Sequence, residues 1–129
     1  MNQKRNKVLI IEDSKEHYLG LAIKLKANKY DVVGVQDGAT AMTVVRREEP
    51  DAILLDLGLP GGDGFVVLKR LKSLISTIEI PVIVVTAREP MVNRAMALEA
   101  GASAFLQKPV KTDELIGALW QALTAEPAN

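Results

Sequence analysis

The sequence predicts an α/β fold: one domain with a mainly parallel sheet covered by helices on both faces. Five short apolar runs alternate with stretches in which apolar residues recur at helical spacing. Hydrophobic residues make up 48% of the chain, which suits a sheet that is buried on both sides. Because strands alternate with helices, the connections are expected to be right-handed βαβ crossovers.

The first half of the chain supplies three strand–helix units, with strands predicted at residues 7–11, 31–35 and 51–55. Ser14 is placed to cap the first helix and Asp63 to cap the third, because short polar side chains accept hydrogen bonds from free helical N–H groups. The inward positions predicted for these helices are Tyr18, Leu21, Ala22 and Leu25, then Ala41, Val44 and Val45, then Phe65, Leu68 and Leu71.

The second half supplies two further units, with strands predicted at residues 80–85 and 104–106. Pro81 lies in the first positions of its strand, where a missing N–H is tolerated. Pro90 suits the first turn of the fourth helix, Gly101 its end, and Thr112 the cap of the fifth. The inward positions predicted for these two helices are Met91, Ala95 and Leu98, then Leu115, Leu119 and Leu123.

Composition and the chain ends limit the classes of function. The 129 residues are enough for a single core; they carry no net charge and include no Cys. Nothing therefore indicates binding to nucleic acid, disulfides or thiol chemistry. The first apolar run is too short for a signal peptide or a membrane span. We expect a cytoplasmic protein with a basic arm at 1–6, one domain at 7–124 and a short tail at 125–129.

Polar residues follow four of the five apolar runs. Glu12 and Asp13 follow the first, Asp56 the third, Thr86 the fourth and Lys108 the fifth. Open parallel α/β sheets bind ligands at the carboxyl ends of their strands. Three carboxylates this close need a cation between them, and oxygen ligands without His or Cys favour Mg²⁺ or Mn²⁺. With a lysine ammonium and a hydroxyl added, the set fits transfer of a phosphoryl group onto an Asp.

At these residues the chain resembles the receiver domains of two-component response regulators. The matching motifs, in chain order, are Ile11-Glu12-Asp13-Ser14, Asp56-Leu57-Gly58-Leu59-Pro60-Gly61-Gly62-Asp63-Gly64, Val85-Thr86-Ala87 and Lys108-Pro109. Each motif lies at the end of a predicted strand, and the resemblance runs from about Lys7 to Leu123. Four motifs in register are far more specific than any one of them alone.

The resemblance implies a role for each site residue. Asp56 would be the phosphoacceptor, attacking the phosphohistidine of a partner kinase. Glu12 and Asp13, together with Asp56 and the backbone carbonyl of Gly58, would hold Mg²⁺. Lys108 would neutralise the phosphoryl oxygens, and its bond to Pro109 is expected to be cis, a form tolerated only before proline.

The resemblance also implies the topology and a switch. The fold would be five βα units with strand order 2-1-3-4-5, doubly wound and flavodoxin-like. Thr86 would be the hydroxyl that moves to the new phosphoryl group, and Phe105 the aromatic that turns inward as Thr86 moves. The residues expected near the responding face, made by helix four, strand five and helix five, are Arg88, Met91, Arg94, Phe105, Lys111 and Trp120.

The resemblance gives expectations about partners and turnover. The phosphoryl donor would be a sensor histidine kinase or a His phosphotransfer protein, and the output an unidentified protein or domain. No membrane partner is expected, and a phosphorylation-dependent dimer stays open. We expect a signalling module that dephosphorylates itself slowly, rather than an enzyme with a small-molecule substrate. His17, the only histidine, is expected on the exposed side of the first helix without a catalytic role.

Three other functions stay open beside this one. A pseudo-receiver would signal without phosphate, although all five acidic, hydroxyl and lysine positions are filled. An aspartate-nucleophile phosphatase would need a general acid two residues after Asp56, where this chain has Gly58. A flavin or nucleotide binder would need a glycine-rich phosphate loop, and neither common form of that loop is present.

Overall fold

A computed structural model describes residues 5–59 and 64–125 of the chain. Strands and helices alternate through both ranges. The strands are β1 (Lys7–Ile11), β2 (Asp31–Val35), β3 (Ala52–Leu55), β4 (Val82–Thr86) and β5 (Ala104–Gln107). The helices are α1 (Lys15–Ala27), α2 (Gly38–Glu48), α3 (Gly64–Ser73), α4 (Pro90–Glu99) and α5 (Thr112–Thr124). Asp63, the expected cap of α3, lies outside the described residues, as do 1–4 of the arm and 126–129 of the tail.

The five strands form one parallel sheet in the order β2-β1-β3-β4-β5. This confirms the predicted fold class and strand order. In register, Ile11 of β1 lies opposite Leu55 of β3, and Val85 of β4 lies opposite Leu106 of β5. The carboxyl ends of β1 and β3 are therefore neighbours at the centre of the sheet. Between them the strand order reverses, which is where doubly wound sheets place their ligands.

Helices cover both faces of the sheet, and each face has its own core. Leu9 and Ile11 pack with residues of α2, α3 and α4, while Val8 and Ile10 pack with residues of α1 and α5. Successive strand residues point to opposite faces, so a strand buried on both faces must be apolar throughout. That is why the predicted strands read as continuous apolar runs.

In four of the five helices, the residues that the sequence predicts to face the core do face it. Ser14 caps α1, because its side-chain oxygen accepts a hydrogen bond from His17 N–H at 3.2 Å. The predicted inward residues of α1, α2, α3 and α5 are either buried or pack partly buried against a core cluster. Met42 of α2 is buried as well, which the predicted face did not include.

The inward face predicted for α4 is wrong. The side chain of Met91 is 87% exposed and that of Leu98 is 40% exposed, and Ala95 is exposed too. The one buried side chain in this helix is Ala97, whose small size lets the helix pack closely. Met96 is exposed as well. Apolar residues occur on more than one side of α4, so their spacing alone does not identify the buried side.

Several predicted boundaries shift by one or two residues. Strand β3 begins at Ala52, and β4 covers Val82–Thr86, so Pro81 precedes the strand and only its carbonyl joins the ladder, accepting from Ile53 N–H at 2.9 Å. Strand β5 extends to Gln107. Thr112 is the first residue of α5 and does not cap it; the capping position is Lys111, which makes no side-chain capping bond.

Candidate functional site

The three predicted carboxylates meet at the carboxyl edge of the sheet. Strand β1 ends at Ile11, so Glu12 and Asp13 extend beyond it, and Asp56 follows the end of β3. Each of the three offers an oxygen within 4.8 Å of the other two. Glu12 is buried and Asp13 exposed, and the Asp56 side chain is 11% exposed. The site is thus buried on the side of Glu12 and open to solvent on the side of Asp13.

Asp56 is held by three hydrogen-bond donors. The backbone N–H of Gly58 donates to Oδ1 at 3.0 Å, and the ammonium of Lys108 donates to Oδ2 at 3.1 Å. The hydroxyl of Thr86 also donates to the carboxylate. Thr86 is the last residue of β4 and is buried, and its oxygen accepts a hydrogen bond from Arg88 N–H at 3.3 Å. Asp56 is therefore fixed as an acceptor of hydrogen bonds.

Glu12 is fixed by two donors on different segments. Its Oε2 accepts from the N–H of Ser14 at 3.1 Å, and its Oε1 accepts from the ammonium of Lys108 in a short ion pair. Its backbone N–H donates to the carbonyl of Val35 at 2.9 Å, which continues the β1–β2 ladder by one residue. Glu12 is thus positioned by the sheet and by the start of α1 together.

Lys108 lies at the centre of the site. Its peptide bond to Pro109 is cis, as the resemblance implied. Its N–H donates to the carbonyl of Thr86 at 2.8 Å, and its side chain is 12% exposed. Its ammonium bridges Glu12 and Asp56, so one positive charge is shared between two negative ones.

The pKa values of the Glu12 and Asp56 carboxyl groups are shifted in opposite directions. Burial raises the pKa of Glu12 above its ordinary value, and the bonds from Lys108 and Ser14 oppose this rise without cancelling it. Burial also acts to raise the pKa of Asp56, but the bonds from Gly58, Lys108 and Thr86 outweigh it and hold that pKa below its ordinary value. Asp56 is therefore an ionised carboxylate near neutral pH, as an oxygen nucleophile must be.

The donor set fits a hard divalent cation. Carboxylate oxygens without imidazole or thiolate are the ligands that Mg²⁺ and Mn²⁺ accept, with water filling the remaining positions. The exposed Asp13 makes the open side of the pocket acidic. Gly58, the fourth predicted ligand, is placed beside Asp56 by its N–H bond, and the role of its carbonyl stays a prediction.

His17 is a site residue that sequence reasoning missed. Its side chain is 53% exposed, as expected, but its Nδ1 lies 3.1 Å from the ammonium of Lys108 and 4.0 Å from Oε1 of Glu12. His17 and Lys108 are 91 residues apart, so no local pattern links them. The feature that could have indicated His17 is the topology. The first turn of α1 follows Glu12 and Asp13 closely in the chain, so it lies near the end of β1.

The two predicted switch residues lie on adjacent strands. Val84 and Thr86 of β4 are in register with Phe105 and Gln107 of β5, so Phe105 is two positions from Thr86 along the ladder. Phe105 is buried in the core that packs against α2, α3 and α4. Its carbonyl accepts a hydrogen bond from the Arg94 guanidinium of α4 at 3.4 Å.

The predicted responding face is partly as expected. Met91 and Arg94 lie exposed on α4, next to β5. Trp120 lies on α5, one of the elements of that face, and lines a groove with residues before β1 and in the α1–β2 connection. The residues lining that groove are Arg5, Asn6, Asn28, Lys29, Tyr30, Ile116, Trp120, Leu123 and Thr124.

Comparison with known proteins identifies the family. A sequence model described as the response regulator receiver domain matches residues 8–120. The chain is 40% identical over 118 residues to the response regulator PleD of Caulobacter vibrioides, covering 92% of this chain and 26% of that protein. The chain belongs to the response regulator receiver domain family of two-component signalling. It spans about a quarter of the length of the curated relative that it matches.

Solved structures agree with this assignment. A putative response regulator from Chloroflexus aurantiacus superposes with a TM-score of 0.89 at 29% identity, covering 93% of this chain and 98% of that one. The receiver domain of sensor histidine kinase PA1611 from Pseudomonas aeruginosa superposes with a TM-score of 0.86 at 29% identity, covering 95% and 100%. That structure has a magnesium ion coordinated in its active-site cleft. In the described part of this chain, no helix has the length and apolar character needed to cross a bilayer.

Proposed function

We propose that Asp56 accepts a phosphoryl group from the phosphohistidine of a sensor kinase or His phosphotransfer protein. The observation that carries the proposal is the state of Asp56: an ionised, partly exposed carboxylate held by Gly58, Thr86 and Lys108. Lowering the pKa keeps the nucleophile charged, and the open side leaves room for a donor. No other described carboxylate combines three such donors with a neighbouring pair of acidic residues.

The transfer step is a substitution at phosphorus. A carboxylate oxygen of Asp56 forms a bond to phosphorus while the bond from phosphorus to the donor imidazole nitrogen breaks, and the electron pair leaves with the nitrogen. Lys108 already donates to Asp56 at 3.1 Å, so its ammonium is next to the phosphoryl oxygens once the bond has formed. Its charge stabilises the negative charge on those oxygens.

The acidic residues support a divalent cation as cofactor. Glu12, Asp13 and Asp56 would hold Mg²⁺ or Mn²⁺, with the Gly58 carbonyl as a further ligand. When bound, the cation neutralises charge on the transferred phosphoryl group. In this structure the ammonium of Lys108 pairs with both Glu12 and Asp56. The magnesium in the PA1611 receiver structure, at 29% identity, supports the same use here.

Phosphorylation would act on the partner face through Thr86 and Phe105. The Thr86 hydroxyl donates to Asp56 in this structure, and a phosphoryl group on Asp56 offers it a stronger, doubly charged acceptor. A shift of Thr86 reaches α4 because Arg88 N–H bonds to its oxygen and Arg94 bonds to β5. The response is a population shift driven by contacts that exist only in the phosphorylated state. The receiver of RstA from Klebsiella pneumoniae, 32% identical, is described as BeF3-activated, which supports such a second state.

The proposal describes a signalling module and not a phosphatase. Gly58 stands where a phosphatase of the aspartate-nucleophile class has its general acid, and its N–H is committed to Asp56. We expect a single phosphorylation event, slow self-dephosphorylation and no multiple turnover on phosphomonoesters. A kinase or phosphotransfer protein is the upstream partner, and the output acts through the face of α4, β5 and α5.

Intact mass after incubation with acetyl phosphate tests the proposal. In this reaction Asp56 forms the bond to phosphorus and acetate leaves. Wild type with Mg²⁺ should gain one phosphoryl group, and the gain should disappear with Asp56→Asn or with EDTA. If acetyl phosphate gives no gain, beryllofluoride binding is measured with the same variants. Failure of both would favour a receiver that signals without phosphate.

A further inference from the structure

We propose that His17 is a positioning residue for Lys108: its Nδ1 accepts the third N–H of the Lys108 ammonium and fixes the direction of the other two. The inference rests on the proposed function, in which Lys108 stabilises the phosphoryl group on Asp56. It adds a residue of this chain, on α1, to a site otherwise built from strand ends.

The contacts of Lys108 account for all of its donors. A lysine ammonium has three N–H groups and no acceptor. Three acceptors surround it: Glu12 Oε1, Asp56 Oδ2 at 3.1 Å and His17 Nδ1 at 3.1 Å. An ammonium can approach Nδ1 this closely only where that nitrogen keeps its lone pair. In the proposed contact Nδ1 is the acceptor, so the ring proton is assigned to Nε2.

Two of these acceptors, Glu12 and His17, are linked to each other through hydrogen bonds of Ser14. The N–H of His17 donates to the Ser14 side chain at 3.2 Å, and the N–H of Ser14 donates to Oε2 of Glu12 at 3.1 Å. The cap of α1 thus sets the position of His17 relative to Glu12. At its other end Lys108 is fixed by its backbone bond to the carbonyl of Thr86 at 2.8 Å. Both ends of the lysine are then defined, and His17 removes its last rotational freedom.

The orientation of the Lys108 ammonium matters for the reaction because the ammonium must bind the incoming phosphoryl group. When a phosphoryl group is on Asp56, Lys108 must point donors at its oxygens. A donor already oriented does not lose rotational freedom during the reaction, which lowers the barrier. Without His17, Lys108 is free to turn fully to its short ion pair with Glu12, away from Asp56. Because the His17 side chain is 53% exposed, water competes for the bond, and the effect on rate is modest.

Nuclear magnetic resonance of the single histidine tests the contact without any phosphorylation. Long-range ¹H–¹⁵N correlation at about pH 8, where imidazole is neutral, should show His17 protonated at Nε2, with Nδ1 shifted as a hydrogen-bond acceptor. Lys108→Met removes the donor and should move the Nδ1 resonance towards the value of a free ring. A ring protonated at Nδ1, or one that Lys108→Met leaves unchanged, would overturn the proposal.

Phosphorylation kinetics test the role. With acetyl phosphate and Mg²⁺, His17→Leu should slow phosphorylation by about threefold to tenfold, the range expected for loss of one orienting hydrogen bond. His17→Asn places an amide oxygen close to the position of Nδ1 and should return the rate to within about twofold of wild type. Lys15→Ala, an exposed neighbour on the same turn, serves as the control and should not change the rate.

A double-variant comparison separates positioning from a general effect on folding. In a Lys108→Ala background, His17→Leu should have no further effect, because the partner that it orients is gone. Equal rates for wild type and His17→Leu, or a slowing that His17→Asn does not reverse, would overturn the role of His17 and leave the proposed function intact. If wild type neither gains a phosphoryl group from acetyl phosphate nor binds beryllofluoride, the proposed function is overturned, and the role of His17 with it.

Discussion

Gly64, the first residue of α3, packs against the backbone of Asp56. A Cβ atom at position 64 would lie 2.4 Å from the carbonyl oxygen of Asp56 and 2.5 Å from the Cα of Leu57. The N–H of Gly64 donates to the carbonyl of Leu57 at 3.0 Å. The start of α3 thus packs directly against the backbone of the candidate phosphoacceptor. Only glycine fits at position 64, because any side chain would overlap that backbone.

Gly64→Ala should therefore destabilise the protein. The atoms that the new methyl group meets are backbone atoms, which cannot rotate away, so α3 or the end of β3 must shift. We expect a loss of about 1–3 kcal/mol in the free energy of unfolding, the usual cost of overpacking a buried position. Urea unfolding followed by circular dichroism measures it.

The matched control is Gly117→Ala in the middle of α5. A Cβ atom there meets nothing within 4 Å, so the same substitution has no steric cost. Alanine in a helix interior should stabilise the protein by about 0.5–1 kcal/mol relative to glycine. The two substitutions are expected to change the free energy of unfolding in opposite directions. Equal changes would contradict the close packing at Gly64.

Lys72 holds the connection between α3 and β4 in place. Its ammonium donates to the carbonyls of Ile78 at 2.9 Å and Ile80 at 2.7 Å, and burial lowers its pKa. Lys72→Met keeps most of the side-chain stem but leaves both carbonyls without this donor. We expect a loss of about 1–3 kcal/mol in the free energy of unfolding.

The control for Lys72 is Lys69→Met, an exposed position on the same helix. Hydrogen exchange should also report the difference, since Lys72→Met should speed exchange of the amides between α3 and β4. Slow exchange there in Lys72→Met, together with unchanged stability, would show that the two carbonyl bonds contribute nothing.

Most of the fold could be predicted because it follows from local patterns. A strand buried on both faces must be continuously apolar, as Ala52–Leu55 of β3 is, and β1 and β2 have the bounds that the sequence predicts. The fourth strand is predicted at 80–85 but covers Val82–Thr86, because Pro81 and Thr86 can each stand inside or outside a strand. The face of α4 was wrong because its apolar residues occur on several sides and tertiary packing selects Ala97.

The site could be predicted as a set of residues but not as a network. Strand ends converge by topology, so Glu12, Asp13 and Asp56 were expected together, and the structure brings them within 4.8 Å. The pairing of Lys108 with His17 depends on how far the first turn of α1 leans over the end of β5. No spacing in the chain encodes that distance.

Mg²⁺ should raise the melting temperature of the wild-type protein. The three carboxylates repel one another, and Lys108 forms ion pairs with two of them, Glu12 and Asp56. A ligand that binds only the folded state stabilises it by about 2.7 kcal/mol at a hundredfold excess over Kd. Differential scanning fluorimetry with and without Mg²⁺ measures the shift in melting temperature.

Asp56→Asn should reduce that shift, because one anionic ligand is lost. Asp51→Asn is the control: Asp51 accepts the N–H of Lys7 at 2.7 Å, so this variant loses stability at a position away from the site. Its gain in melting temperature from Mg²⁺ should equal that of wild type. A wild-type melting temperature that does not respond to Mg²⁺ would refute the metal site.

Without divalent cations, Glu12 and Asp56 should make opposite contributions to the pH dependence of stability. The folded-state pKa of Glu12 lies above 4.5, so the folded state binds this proton more tightly than the unfolded chain does. Its contribution is favourable below 4.5 and is lost as pH rises through the raised pKa. The folded-state pKa of Asp56 lies below 3.8, so its contribution is present above 3.8 and is lost as pH falls through the lowered pKa.

Urea unfolding in EDTA across the acid range, for wild type, Glu12→Gln and Asp56→Asn, separates the two contributions. The stability of wild type relative to Glu12→Gln should fall as pH rises from about 4 towards neutrality, because only wild type has a buried carboxyl group that must ionise. The stability of wild type relative to Asp56→Asn should instead fall as pH decreases below 3.8. Two differences that change in the same direction would contradict the assignment of Asp56 as the carboxylate that Gly58, Lys108 and Thr86 keep ionised.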